Sequence, residues 1–170
     1  MRIFISIILL VLTLTSFSQE YEKSLGLRFG VTTGLTYKKF LDKSRAMEAT
    51  LSTRQQGFQL TAIRMSHELS LYQYSQHIYF MYGYGGHIGY YRDTEFSAFF
   101  LPTPLKFKNK VMAPAMGIDG YIGFEYRFDN LPLALVVDYK PYFGFCLPGF
   151  HVWNDMNPFD FGFSVKYILK

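Results

Sequence analysis

The sequence predicts an all-β fold, an eight-stranded antiparallel up-and-down transmembrane β-barrel. Three observations carry that expectation. Beyond Gln19, stretch after stretch alternates apolar with polar or small residues, and side chains on a strand point to opposite sides in turn. The apolar positions are heavily aromatic, with 18 Phe and 14 Tyr in 170 residues, and these residues favour strands. The chain also opens on an export signal. One Cys excludes a disulfide framework and a Cys-based zinc site. The apolar content, 49%, excludes a disordered chain.

Met1-Arg2 is a short positive start, Ile3 to Leu14 is almost wholly apolar, and Ser16, Phe17 and Ser18 follow. This is the layout of a cleaved secretory signal peptide over residues 1–18, with Gln19 the new N-terminus. The apolar run falls short of the roughly 20 residues of a spanning helix. Residues 19–170 are then one outer-membrane β-barrel domain. Removing Arg2 lowers the net charge from +4 to +3, too small a surplus to argue for nucleic acid.

The first two strands are expected at 23–31 and 34–41. One strand over all of Ser24 to Leu41 is too long, and a break at Val31-Thr32-Thr33-Gly34 makes a hairpin. Without that break the chain is a seven-segment open sheet, whose edge would stand unpaired in lipid. Further strands follow at 45–54, 57–67, 77–91, 114–128, 133–145 and 158–169. The fourth has no legible parity: Phe58, Leu60 and Ala62 suggest one face, Ile63 and Met65 the other. The sixth is the clearest, with Ile118, Ile122, Phe124 and Tyr126 on one face and Asp119, Tyr121, Glu125 and Arg127 on the other. In the last, Phe159, Phe161, Phe163 and Val165 oppose Asp160, Gly162, Ser164 and Lys166. Tight turns are expected at 32–33 and 55–56, a periplasmic turn at Asp129 to Pro132, and long outer loops at 92–113 and 146–157.

A membrane barrel turns its apolar face to lipid and its polar face inward. The interior then holds Glu48, Asp119, Glu125, Asp138 and Asp160 against Arg28, Arg54, Arg127, Lys140 and Lys166. Charges in so narrow a space must be paired. If 129–132 is the turn, Lys140 faces Tyr121 and lies diagonal to Asp119, within reach of a long side chain. An eight-strand barrel has room for little more than side chains, so a plugged, non-conducting interior is expected. The polar face carries no cofactor or metal signature, and none is expected. His67, His77, His87 and His151 form no ligand motif, and Ser75 with His77 is a weak hydrolase candidate. Cys146 stands alone at a strand end, and the glycines at 83, 85, 86 and 89 relieve crowding rather than cradle phosphate. Phe99, Phe100, Leu101 and Trp153 in the outer loops are candidates for contact with a protein partner or lipopolysaccharide.

Ser24-Leu-Gly-Leu-Arg-Phe-Gly30, Gly34-Leu-Thr-Tyr-Lys-Lys-Phe-Leu41, Gly123-Phe-Glu-Tyr-Arg-Phe128, Leu131-Pro-Leu-Ala-Leu135 and Asp138-Tyr-Lys-Pro141 resemble the small outer-membrane β-barrel proteins of Bacteroidota. The resemblance covers nearly the whole mature chain. It implies the outer membrane of a Gram-negative bacterium and no catalytic residues. One departure is the ending Tyr167-Ile168-Leu169-Lys170, where such chains close on an aromatic residue. The expected protein is a monomeric, non-enzymatic barrel in outer-membrane lipid, structural or docking a partner through its outer loops. Two alternatives stay open: a soluble periplasmic lipocalin-like barrel around an apolar ligand, with Phe124 and Phe161 inside and Glu125 and Lys166 in water, and a small lipid-modifying barrel enzyme.

Overall fold

The computed structural model describes residues 21–54, 57–69, 77–91, 94–96, 107–109, 113–146 and 153–169. The expected leader, the turn at 55–56, Ser75, Phe99, Phe100, Leu101 and His151 lie outside the described residues. So do the side chains of Arg54, Cys146 and Trp153, whose backbones are strand.

Every regular element among the described residues is a strand. They are β1 (Lys23–Gly30), β2 (Thr33–Phe40), β3 (Arg45–Arg54), β4 (Gly57–Leu69), β5 (Ile78–Tyr91), β6 (Thr94–Phe96), β7 (Phe107–Asn109), β8 (Ala113–Arg127), β9 (Leu133–Tyr139), β10 (Tyr142–Cys146), β11 (Trp153–Asn157) and β12 (Phe161–Leu169). All pairings are antiparallel. The barrel runs β1, β2, β3, β4, β5, β8, β9 and β12, and β12 closes on β1. The chain breaks at Val31-Thr32, so two strands, not one, occupy 23–40. β6 and β7 pair with each other in a separate two-stranded sheet.

β9 and β10 are two halves of one strand. Both pair with β8 in the same register, Tyr139 opposite Ile122 and Tyr142 opposite Asp119. Pro141, which has no N–H to donate, lies at the break. β11 and β12 are likewise halves of one strand, but their registers differ. Tyr142 faces Asn157 while Tyr139 faces Phe161, so three residues on one side answer two on the other. That is a β-bulge, and it leaves Pro158 and Phe159 both exposed before the alternation resumes at Asp160. The sequence expectation of a loop over 146–157 is corrected here. Cys146 ends β10 opposite Trp153, the first residue of β11, and the interval between strands is 147–152. Mixed polar residues in Trp153–Asn157 hide the strand from a period-two reading.

Register followed around the barrel spirals. Trp153 leads to Cys146, Ala115, Gly89, Gln59, Ser52, Gly34, Arg28 and then Ser164, on the same β11–β12 strand but far down it. A stagger of this kind requires tilted strands. Most of the residues inside are polar. Glu125, Lys38, Lys166, Gln59 and Asp160 have no exposure at all. The exposed side carries Leu25, Leu27, Leu51, Leu60, Ile118, Ile122, Phe124, Phe161 and Phe163. β4 also acquires its parity. Phe58, Leu60 and Ala62 point out, while Gln59, Thr61, Ile63, Met65 and His67 point in. Ile63 and Met65 join Ala46, Met81, Tyr121 and Val136 in an apolar layer inside the barrel, which is why β4 reads as two apolar faces.

Candidate functional site

Among the described residues, the buried titratable groups converge in the interior, in three clusters. Nearest the end where β1 begins and β12 finishes, the terminal end, Glu125 of β8 is the hub. Lys38 of β2 pairs with Glu125 Oε2. Arg127 Nε donates to Oε1 at 2.7 Å, and the Tyr21 hydroxyl donates to the same oxygen at 2.7 Å. β2 and β8 have three barrel strands between them on either side, so the Lys38–Glu125 pair spans the barrel. The Arg127 guanidinium lies 3.8 Å from the Tyr79 ring centre and 4.5 Å from that of Tyr21. Tyr21 precedes β1. Burial, reinforced by the Glu125 carboxylate, raises its hydroxyl well above the ordinary phenol range and keeps it a donor. Beside this hub, Lys166 Nζ of β12 meets Glu48 Oε2 of β3 at 2.5 Å.

The second cluster centres on Arg28. Its Nη2 lies 2.6 Å from Asp138 Oδ1, and its Nε donates to the same oxygen at 3.0 Å. Nη1 donates to the Thr32 carbonyl at 2.8 Å and also bonds the Thr32 hydroxyl. Both terminal nitrogens reach Asp160 Oδ1 at 3.2 Å, and Thr32 Oγ1 donates to Asp160 Oδ2 at 2.9 Å. Local sequence makes this possible. Arg28 reaches over β12 at Gly162, where a Cβ would stand 2.5 Å from Cζ. The bulge brings Asp160 back to an inward position on the same side.

In the third cluster, His87 Nδ1 donates to Asp119 Oδ2 at 2.9 Å, with the Tyr142 ring edge-on at 5.3 Å. The imidazole lies over Gly117, where a Cβ would come within 2.6 Å of its Cε1. Towards the opposite end, Tyr91 donates to Gln59 Oε1 at 2.8 Å, and Gln59 Nε2 donates to Thr61 Oγ1 at 2.9 Å.

The structure therefore places the side chains of Arg28, Glu48, Asp119, Glu125, Arg127, Asp138, Lys140, Asp160 and Lys166 inside. One pairing differs from the sequence expectation. Lys140 does take the position opposite Tyr121, but its Nζ meets Asp160 Oδ2 at 3.8 Å, and Asp119 is held by His87 instead. Lys38 is the member that sequence reading missed. In Lys38-Lys39 the two faces of β2 carry the same charge, so alternation gives no contrast. The signal was Thr36, which shares the inward face.

Chemically, five carboxylates and five cations here neutralise one another. Among the described residues, histidine ring nitrogens meet Lys38 Nζ, Asp119 and Asp129. No group of three metal-ligating side chains occurs among those residues. Hollows lie at the periphery. A groove of about 530 Å³ on the outer wall is lined by Tyr84, Ile118, Gly120, Pro141, Phe143 and Pro158 among others. A pocket of about 360 Å³ opens at the terminal end beside Tyr21, Phe40 and Arg127. Comparison with protein-family models, curated proteins and solved structures gives no match. The functional reading rests on geometry.

Proposed function

We propose that this chain is an up-and-down outer-membrane β-barrel of a Gram-negative bacterium, non-enzymatic and plugged by its own charges. In this reading residues 1–18 export it, and it works as a monomer. It serves as a structural element or docks a partner through the end where β5 and β10 finish and β8 and β11 begin. The single observation that carries the reading is sidedness. Phe124 is 48% exposed and Phe161 58%, while Glu125 and Lys166 are wholly buried. In water that arrangement costs on both faces; in lipid it is favourable on both. A soluble barrel around an apolar ligand needs the reverse. Aromatic residues at both ends of the outer wall add support. Tyr37 and Tyr126 lie near the terminal end, Phe58, Tyr90 and Phe145 near the other, as interfacial girdles require. The buried charges argue for a plug, because no solvent reaches Lys38, Glu125 or Lys166.

Leu27 tests this reading. It sits in the middle of β1, half exposed, with Leu35 and Val165 directly opposite. Leu27→Arg is expected to destabilise the protein in phosphatidylcholine vesicles by about 2–4 kcal/mol, read from the urea midpoint. A soluble protein would tolerate the same exposed substitution within about 0.5 kcal/mol. A change that small would remove lipid from the account.

A further inference from the structure

Four cations stand on the outer wall at the terminal end, on four adjacent strands. Lys23 opens β1, Lys39 is next to last in β2, Arg45 opens β3 and Arg64 lies in β4. All occupy outward positions, and Lys39, Arg45 and Arg64 are exposed. The register makes them one patch. Lys39 faces Lys23 on one side and Met47 on the other, and Met47 faces Arg64. Arg45 is two residues from Met47, diagonal to both Lys39 and Arg64.

Like charges directly opposite destabilise a ladder, yet Lys23 and Lys39 are so placed. Among the described residues none of the four cations has an ion-pair partner. The exposed acids among the described residues at this end are Glu22, Asp42, Glu68 and Asp129; Glu68 accepts the Tyr82 hydroxyl at 2.9 Å, and Asp129 lies 3.1 Å from His77 Nδ1. The patch is bordered by exposed apolar side chains: Leu25, Tyr37, Leu41 and Met47, with Tyr84 opposite Arg64. Cations framed by hydrocarbon match a ligand with a negative head and apolar tails. Lys and Arg lay their stems along such a surface and present the charge at its border.

We infer that this patch binds the headgroup of an anionic glycerophospholipid in the leaflet at the terminal end of the barrel. The inference rests on the membrane reading above. The phosphate takes the place of the missing carboxylate between Lys39, Arg45 and Arg64, and the acyl chains lie along Leu25, Tyr37 and Met47. Interfacial lysines and arginines attract anionic lipid one by one, and three converging cations add to one another.

The test is native mass spectrometry of the folded full chain, released from neutral detergent micelles holding equal phosphatidylglycerol and phosphatidylcholine. Wild type is expected to retain phosphatidylglycerol over phosphatidylcholine by on the order of tenfold. Lys39→Gln with Arg64→Gln is expected to bring the two lipids to parity. Lys108→Gln, on β7, is expected to leave the preference unchanged. A heat-dependent gel shift retained in each variant shows that the barrel is intact. Equal retention of both lipids by wild type overturns the site while the membrane reading stands, as does a preference that survives the double substitution. Retention of neither lipid, with no gel shift, overturns both.

Discussion

Glu125→Ala is expected to lower stability by about 3–5 kcal/mol, because it strands Lys38 and Arg127 inside the barrel. Three donors converge on this one carboxylate: the Lys38 ammonium from across the barrel, the Arg127 guanidinium and the Tyr21 hydroxyl. Lys38 is wholly buried, and its remaining hydrogen-bond partners among the described residues are the His67 ring nitrogen at 3.2 Å and the Met81 sulfur at 3.5 Å. Neither supplies negative charge. The partner substitution should cost less. Lys38→Met leaves Glu125 held by Arg127 and Tyr21, so the remaining charge is still answered. Combining Lys38→Met with Glu125→Ala should recover part of the loss, the signature of a coupled pair. Urea midpoints of the four proteins in detergent micelles give the cycle. A loss below about 1 kcal/mol for Glu125→Ala would mean that water reaches the hub and that the interior is not plugged there.

Arg28→Ala is the second large effect, expected at about 3–5 kcal/mol by the same physics with the sign reversed. It leaves Asp138 and Asp160, both buried, without the fork that bridges them. Lys140 stands 3.8 Å from Asp160, too far for a good hydrogen bond. Arg28→Lys restores charge but not the planar set of donors that serves Asp138, Asp160 and Thr32 together, so it should fall between wild type and Arg28→Ala. The cluster also ties the β1–β2 turn to the bulge, through Thr32 and Asp160. Hydrogen exchange in the Gly30–Thr33 turn should therefore rise in Arg28→Ala beyond its rise in a variant of equal global stability, such as Leu27→Arg. Equal protection in the two would show that the cluster carries charge balance only.

How much of this was legible in the sequence follows from how far each strand keeps two unlike faces. β8 does so from Ile118 onward, and its inward and outward residues read directly. β4 does not, because Ile63 and Met65 belong to an apolar layer inside. β2 carries Lys38 inward and Lys39 outward, which cancels the contrast in charge. β11 is invisible for a different reason: its five residues, Trp153-Asn-Asp-Met-Asn157, show no contrast of period two, and the bulge that follows shifts the phase before β12. Inward positions of charged residues can be read from parity, but their partners cannot. Arg28 and Asp138 meet because β12 lies between their strands and Gly162 leaves room above it. Lys38 and Glu125 meet because closure puts β2 opposite β8. Both are properties of the closed sheet, beyond the reach of any single strand.

The central claim is that lipid covers the outer wall. The most direct measurement is migration on SDS gels, boiled and unboiled, of the protein from fractionated cells. The account predicts that the protein is in the outer-membrane fraction and that boiling shifts its apparent mass, since a barrel with paired charges inside and apolar residues outside resists SDS until heated. A protein found in the soluble periplasmic extract, migrating alike before and after boiling, would contradict it.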